Sequence, residues 1–269
     1  MNLTKEAQQV IDAYLALSIG DKKITCPYFN NKKSGVRAGL RVMIGKGSPE
    51  DIVEEITLLA LRKKIDLKKL DTTQLRNFLI ENNVGIECSG FVFHVLNAEI
   101  HAKKNTSLGH ILSFKKSKNP LRFLLQKLRP AENTSVQVLA DKQNSHEISL
   151  DKIRPGDMII MIGFKKSIGA RDHVLLVTEV EENPPTQSSA GQRKITYTHS
   201  LHWDRDTALE HGIKQGQITI TNKTNNLITQ TWVESGKKDE ANETWQRASK
   251  STYCAIRRLN CLDETHTLK

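Results

Sequence analysis

A cysteine stands at the point where an apolar helix is predicted to begin. Cys88 follows Glu87 and precedes Ser89 and Gly90, and apolar side chains recur at helical spacing through residues 91–100. The first turn of a helix leaves backbone amides unpaired and carries the positive end of the helix dipole, which favours a thiolate. We therefore expect a lowered Cys88 pKa and a nucleophilic thiolate near neutral pH, with Gly90 leaving room for a substrate backbone. A buried structural cysteine at the start of a core helix is the alternative.

Two histidines on predicted strands are candidate partners for this thiol. The Arg-Pro-Gly-Asp turn at 154–157 leads into an apolar strand, and His173 begins the next strand of the chain. His199 lies near the end of a third predicted strand, at residues 194–200. A thiol, an imidazole that takes its proton and a polar group that orients the imidazole are the parts of a nucleophilic triad. The pattern therefore predicts catalysis by the cysteine and these two histidines.

The alternation of side chains along the third strand selects between His199 and His202 as the orienting group. Ile195, Tyr197 and His199 share one face of this strand, whereas His202 has the opposite phase. We expect the face with the large apolar groups to pack on the helix that begins at Cys88, which makes His199 the third member of the triad. A zinc site formed by the histidines of these strands has no HExxH motif and no paired-cysteine spacing in its favour.

These segments, in this order, resemble the NlpC-type cell-wall cysteine peptidases, a family of the papain-like superfamily. The similarity rests on the Cys-Ser-Gly-Phe-Val run at 88–92, the Pro-Gly-Asp turn and the His-Val pair at 173–174, and it spans residues 84–203. The resemblance implies an α+β papain-like fold in which an N-terminal helical layer packs on an antiparallel β-sheet. It also implies a cysteine peptidase or amidase that uses the triad to hydrolyse an amide bond in peptidoglycan stem peptides.

The same resemblance implies the substrate contacts and the partner. Tyr28, which is similar to an aromatic motif upstream of the family's cysteine, would contact substrate together with Ser89 and Gly90. The partner would be a peptide or a peptidoglycan fragment, with no metal and no organic cofactor required. The chain departs from the family pattern at Glu87, where the family has aspartate, and at Leu175, where it has glycine.

Length and composition limit the class of protein. With 269 residues and 38% hydrophobic residues, the chain is long enough to bury a substantial core. The sequence contains no run of 18 apolar residues, so we expect no membrane span. Its start lacks the basic-then-apolar order of a secretory signal, and four scattered cysteines do not form a disulfide framework. These features predict a cytoplasmic protein, with export by another route left open.

The charge of the chain points to anionic partners. The formal net charge is +10, and the basic residues form several small groups rather than one tract. Aromatic residues make up 5% of the chain and do not alternate with these groups, which argues against a nucleic-acid surface that stacks bases. Anionic wall polymers or acidic peptides fit the charge. A catalytically silent peptide- or wall-binding module and a basic nucleic-acid-binding protein are the alternatives.

The pattern along the chain predicts a helical front and a strand-rich back. The predicted regions are an N-terminal helical region at 1–83 and a papain-like catalytic region at 84–269, packed as one compact unit. Helices are expected at 3–17, from Ser48 onward, at 71–82 and at 120–128; residues 131–150 read as loop. Further strands are expected at 217–222, 227–233 and 253–259. Residues 184–191 are expected to overhang the site, and the polar stretch 234–250 is expected to be a mobile excursion.

Overall fold

The structure is a computed structural model that describes residues 2–30, 40–114, 120–165, 170–182, 193–204, 206–207, 209–222 and 226–263. The helices in these ranges are α1 (Lys5–Leu15), α2 (Pro49–Lys63), α3 (Thr72–Glu81), α4 (Cys88–Lys104), α5 (Leu108–Ile111), α6 (Pro120–Leu128), α7 (Pro130–Asn133), α8 (Val136–Ala140) and α9 (Glu243–Ser249). The segment predicted to overhang the site, 184–191, lies outside the described residues. No helix among the residues described has both the length and the apolar character needed to cross a lipid bilayer.

The strands form two antiparallel sheets. They are β1 (Leu17–Ile19), β2 (Lys22–Ile24), β3 (Ser145–Glu147), β4 (Met158–Lys165), β5 (Ala170–Glu182), β6 (Arg193–Leu201), β7 (Gly212–Ile220), β8 (Thr231–Glu234), β9 (Lys237–Lys238) and β10 (Tyr253–Leu259). The β1–β2 pair is a small hairpin, and the other eight strands pair in the order β3-β10-β4-β5-β6-β7-β8-β9. The α+β class, with helices and an antiparallel sheet, is confirmed.

Side-chain caps explain where two of the predicted helices begin. The Ser48 hydroxyl accepts a hydrogen bond from the Asp51 backbone N–H, and the Asp51 carboxylate accepts one from the Ser48 backbone in return, ahead of α2. Asp71 and Gln74 form the same reciprocal box at the start of α3. Each box provides hydrogen-bond acceptors for amides that a helix end leaves unpaired. These two sequence patterns therefore account for where α2 and α3 begin.

The large sheet is buried on both faces. One face carries side chains such as Val174 and Leu176 and packs on a core that joins α1 to α4, including residues on both sides of the 83/84 boundary. The other face carries Ile195 and Tyr197 and packs on a second core with Trp232. The prediction that the face with Ile195 and Tyr197 packs on α4 was therefore wrong. The prediction assumed that one face of the sheet packs on a hydrophobic core, whereas both faces do.

Two polar segments that were predicted to lack regular structure contain helices and strands. Residues 131–150 hold part of α7, all of α8, where the Ser135 hydroxyl accepts from the Val138 N–H, and β3. Residues 234–250, the predicted mobile excursion, hold β9 and α9, which the Asn242 side chain caps by accepting two backbone N–H groups. In each segment a polar residue, Ser135 or Asn242, caps a helix, so polar composition was not evidence for a loop. The strands expected at 217–222 and 227–233 correspond to β7 and β8, which pair with each other, although residues 227–229 form a 3-10 turn before β8.

A glycine gives a tyrosine room to reach across the sheet. Tyr197 pairs with Gly216 on β7, and Gly216 pairs in turn with Glu234 on β8, so the three residues form one row. The Tyr197 hydroxyl extends over Gly216 and donates to the Glu234 carboxylate at 2.7 Å. A Cβ atom at position 216 would lie 2.2 Å from that hydroxyl oxygen.

Gly216→Ala should therefore destabilise the protein. Neither the buried tyrosine ring nor the strand can move without loss of packing, and such overpacking costs about 1–3 kcal/mol. We expect the denaturant midpoint to fall, measured by urea unfolding followed by tryptophan fluorescence. Gln217→Ala, at the next and half-exposed position of β7, is the control and should change the midpoint little. Equal midpoints for Gly216→Ala and the control would contradict this account of the row.

Candidate active site

The chain immediately before Cys88 is held from two sides. The Ile86 N–H donates to the Pro27 carbonyl, and the Ile86 carbonyl accepts from the Phe29 N–H, so this segment pairs with residues 27–29. On its other side, the Glu87 N–H donates to the Gly45 carbonyl at 3.0 Å. These contacts fix the point at which α4 begins, and with it the direction of the cysteine side chain.

A buried cation and a carboxylate flank the cysteine. The Lys46 ammonium contacts the Glu87 carboxylate at 2.6 Å and also donates to the Ser89 hydroxyl and to the Thr134 carbonyl. The Ser89 hydroxyl donates to Glu87 at 2.7 Å. Lys46 is 5% exposed, so the pair lies largely out of water and its hydrogen bonds compensate for lost hydration. Glu87 therefore forms part of a structural ion pair one residue before the thiol.

The Cys88 thiol lies in a gap between two strands. β5 and β6 pair no further than Leu176 and Thr198, while β6 continues its pairing with β7 beyond that point. In this opening the Val174 backbone N–H bonds to the Cys88 sulfur. The Ser200 hydroxyl donates to the carbonyl of residue 86 at 2.7 Å. The start of α4 is thus inserted where the β5–β6 ladder ends.

The environment keeps the thiol protonated. Burial, with a further contribution from the Glu87 carboxylate, raises the Cys88 pKa to about 11. The Val174 hydrogen bond and the positive charges of Lys46 and Arg247 act in the opposite direction and are outweighed. The expectation of a lowered pKa at the helix start was therefore wrong for the resting protein. Loss of water around a 7% exposed side chain exceeds the helix-end effect.

A hydrogen bond joins the two predicted histidines. His173 Nε2 lies 2.7 Å from His199 Nδ1, and the rings meet edge to face with centroids 5.0 Å apart. Both rings are buried, with 1% and 0% of their surfaces exposed. His173 is adjacent in sequence to Val174, whose N–H bonds to the thiol. The two imidazoles lie on the sheet face that carries Met161 and Tyr197, and the sulfur reaches β5 at the backbone of the residue after His173.

A carboxylate that the sequence did not indicate completes the chain of hydrogen bonds. Glu234 Oε2 lies 3.1 Å from His199 Nε2 and accepts from the Tyr197 hydroxyl at 2.7 Å. Burial opposes ionisation of Glu234, but its contacts with His199 and Tyr197 outweigh that cost and lower its pKa. An ionised carboxylate only accepts hydrogen bonds, so the His199 proton sits on Nε2. When His199 is neutral, its Nδ1 accepts from His173 Nε2–H, and His173 Nδ1 then carries no proton.

His173 is held in its neutral form. Burial lowers its pKa well below the ordinary value, and the neighbouring His199 and Arg247 lower it further. The resting site therefore combines a thiol with a neutral imidazole and does not contain a thiolate–imidazolium pair. Such a pair of groups can work by general-base catalysis, in which the proton leaves sulfur as the sulfur attacks.

The three residues predicted to contact substrate differ in their surroundings. Tyr28 is half-buried, and the charges of Cys88 and Glu87 both raise the pKa of its phenol, after burial as the main cause. Ser89 is 2% exposed and is held by the ion pair before the thiol, so it faces the protein. A Cβ at Gly90 would lie 2.7 Å from the carbonyl oxygen of residue 45. The space beside Gly90 thus holds protein backbone, which corrects the expectation that it admits substrate.

Three other histidines make contacts outside this chain of hydrogen bonds. His202 follows the end of β6 and stacks on His211 with ring centroids 4.6 Å apart. His211 accepts from the Tyr28 backbone N–H, and burial lowers its pKa to about 4. His94 on α4 lies 2.9 Å from the Lys46 carbonyl. Among the residues described, no group of three histidine, cysteine or acidic side chains is arranged to hold a metal ion.

Three charged residues of the site were missed by sequence reasoning. Lys46 stands alone between two glycines, and no local pattern marks it as buried. Glu234 and Arg247 both belong to the segment that its polar composition identified as an excursion. One signal was available, since Trp232 and Glu234 share a face of β8 by strand alternation. Because a residue as large and apolar as Trp232 is expected to be buried, Glu234 on the same face is expected to be buried as well.

Comparison with known proteins gave no match to any family model, any curated protein or any solved structure.

The charge of Glu87 should be detectable in the reactivity of the thiol. Because this carboxylate raises the Cys88 pKa, Glu87→Gln should move the midpoint of the pH–alkylation curve below about 11. Glutamine still accepts hydrogen bonds from Lys46 and Ser89, so the fold should be retained. The measurement is the iodoacetamide rate at Cys88 against pH, read by peptide mass spectrometry.

Glu81→Gln, at the exposed end of α3, is the control for the same change in net charge and should leave the midpoint in place. A wild-type rate that reaches its plateau near neutral pH would show a preformed thiolate and contradict the protonated resting state. An unchanged midpoint in Glu87→Gln would exclude Glu87 as a cause of the raised pKa.

Proposed function

We propose that this chain is a papain-like cysteine peptidase or amidase, related to the NlpC-type cell-wall enzymes, that hydrolyses an amide bond. One observation carries the proposal. A buried thiol at a helix start bonds to the backbone N–H of Val174, and the preceding residue, His173, begins a chain of hydrogen bonds through His199 to Glu234. A row of buried polar groups costs free energy unless its members are hydrogen-bonded to one another. This row ends at His173, the residue before Val174, whose N–H bonds to the thiol. A purely structural cysteine needs no such partners.

The first step would be attack of sulfur on the amide carbonyl. As the new C–S bond forms, the thiol proton passes to His173 Nδ1, the ring nitrogen that carries no proton. The imidazolium that results is stabilised through His199, whose other nitrogen donates to Glu234. The negative charge on the carbonyl oxygen would be met by the Cys88 backbone N–H in the first turn of α4, where amides are unpaired within the helix.

Release of products would reverse the proton transfer. The imidazolium gives its proton to the amide nitrogen as the C–N bond breaks, and the amine leaves. Water then attacks the thioester while His173 accepts one of its protons, and sulfur departs with that proton to restore the thiol. The His199–Glu234 pair keeps the proton of His173 on Nε2 throughout, so Nδ1 remains the working nitrogen. Atoms and charges balance without a metal or an organic cofactor.

The substrate class follows from the resemblance and from charge. Stem peptides of peptidoglycan are the substrates of the enzymes that the motifs resemble, and they carry carboxylates. The net charge of +10 favours the approach of such anionic polymers. The test is incubation of the full chain with defined muropeptides and with acidic peptides, followed by mass spectrometry of the products. Cleavage of neither group by the wild-type protein at high enzyme concentration would refute the proposed activity.

Variants of the triad should lose turnover to different extents. Cys88→Ala and His173→Ala should lower the rate by at least about a thousandfold, because they remove the nucleophile and the base. His199→Ala should lower the rate by a smaller factor than either of these variants, because His199 orients a ring without transferring a proton. His202→Ala is the matched histidine control and should leave the rate unchanged. A greater loss for His202→Ala than for His199→Ala would require a different triad.

The pH dependence of kcat/KM should reflect the neutral His173. Its lowered pKa keeps the ring unprotonated, and therefore competent as a base, at pH values below the ordinary histidine range near 6.5. We expect the acid limb of the profile to fall well below pH 6.5 and the rate to stay level through neutral pH. Stopped assays across a pH series, with circular dichroism at each pH to verify folding, measure this. A half-maximal rate above pH 6.5 would contradict it.

A further inference from the structure

Three leucines of α6 face solvent. Leu124, Leu125 and Leu128 have 53%, 54% and 68% of their surfaces exposed, and none of them belongs to either hydrophobic core. Positions four apart lie on the same face of a helix, so Leu124 and Leu128 form a row with Leu125 beside it. We call these three side chains the leucine ridge. Single exposed leucines are ordinary, but a contiguous group of them indicates an interaction surface.

The side of α6 that faces the protein carries a polar group. Gln126 is half-buried, and two positions correspond to about 200° around a helix, so it points away from Leu124 and Leu128. Its Oε1 atom is buried and has no hydrogen-bond partner among the described residues. Gln126 lines a cavity of about 470 Å³ together with Tyr253 and Arg257 of β10. The polarity of α6 is thus the reverse of that of a helix whose apolar face stabilises a fold.

The charge of this helix has one sign. Residues 120–129 include Arg122, Lys127 and Arg129 and no acidic residue. Lys127 is exposed, and Arg129 pairs with Glu132 beyond the end of the helix. An apolar ridge on a basic helix is typical of segments that lie in the interface of an anionic membrane. The net charge of +10 attracts the whole chain to such a surface.

A comparison with α2 shows what distinguishes the leucine ridge. Leu58 and Leu61 are 48% and 70% exposed and have the same spacing as Leu125 and Leu128, but residues 49–63 carry four acidic and two basic residues. A second copy of the chain is a poor occupant for the ridge, because a two-fold interface would bring two basic helices together. A protein partner would need an acidic groove that fits a convex helix, whereas lipid chains adapt to its shape.

We propose that α6 binds the surface of an anionic lipid membrane, with the leucine ridge inserted between the head groups and the acyl chains. The basic residues of the helix would contact the lipid phosphates. Burial of the leucines and attraction of the positive charges are the two contributions to such binding. The helix would lie in the plane of the interface. This inference does not depend on the proposed function, because no group of the candidate active site takes part in it.

Co-sedimentation of the full chain with lipid vesicles tests the proposal. The wild type should bind vesicles of equal parts phosphatidylcholine and phosphatidylserine, and should bind vesicles of phosphatidylcholine alone much more weakly. Leu125→Gln/Leu128→Gln should weaken binding to the anionic vesicles by at least about tenfold, because it removes apolar area that enters the membrane. Lys127→Gln should weaken it about fivefold, and this loss should shrink as salt screens the charge.

The matched control is Leu58→Gln/Leu61→Gln, which makes the same change at the same spacing on α2. It should bind the anionic vesicles as tightly as the wild type. All substituted positions are exposed, so each variant should fold, and circular dichroism verifies this. A wild type that does not bind anionic vesicles overturns the proposal. Equal losses in the two double variants, or wild-type binding by Leu125→Gln/Leu128→Gln, overturn it as well.

Hydrogen exchange of the wild type locates the contact without any substitution. Anionic vesicles should slow the exchange of the α6 amides and leave that of the α2 amides unchanged. Bound protein in which α6 is not protected overturns the proposal. Sedimentation velocity without lipid tests the second copy as the occupant. A dimer of the wild type that Leu125→Gln/Leu128→Gln dissociates, with no binding to vesicles, would assign the leucine ridge to self-association and overturn the membrane proposal.

Discussion

The buried charge of Glu234 is the interaction on which the candidate site depends. A carboxylate that is 1% exposed persists as an anion only where charge-assisted hydrogen bonds replace water, and Tyr197 and His199 provide two of them. Because the anion can only accept, the Tyr197 hydroxyl and His199 Nε2–H both donate to it. When His199 is neutral, its Nδ1 has no proton and accepts from His173 Nε2–H. In that state the buried anion at the end of β8 determines which nitrogen of His173, three strands away on β5, carries the proton.

A buried ion pair between Lys46 and Glu87 lies beside the thiol, near the His173 end of this row of hydrogen bonds. Lys46 and Glu87 tie the start of α4 to the loop at residues 45–47, and both charges act on the thiol with opposite sign. Glu87 raises the pKa of the thiol by more than Lys46 lowers it, so Glu87 and burial together keep the proton on sulfur. A protonated thiol is a poor nucleophile and a poor target for oxidants. In the proposed mechanism the sulfur becomes reactive only when a carbonyl carbon is placed against it.

The parts of the fold that local patterns specify could be predicted from the sequence. α2 and α3 begin at capping boxes, α4 begins at Cys88 after its apolar period, and the apolar runs of β4, β5 and β10 formed strands. What could not be predicted depends on contacts between distant segments. Strand alternation placed Tyr197 and His199 on one face correctly, but it could not tell which of two covered faces that was. The identity of that face depended on α9, which packs on it, and the polar sequence of α9 did not predict a helix.

The same reasoning explains why the electrostatics of the site could not be predicted. A helix start and a histidine are visible in a short window of sequence, and they predicted a lowered thiol pKa. The observed direction is set by burial and by Glu87, and burial results from the packing of the whole chain. Buried charges need partners, and those partners come from wherever the fold brings the backbone. Glu234 and Arg247 stand at the two ends of one polar segment that covers a hydrophobic face. The charged residues of that segment belong partly to the candidate site, so its polar composition did not indicate a surface loop.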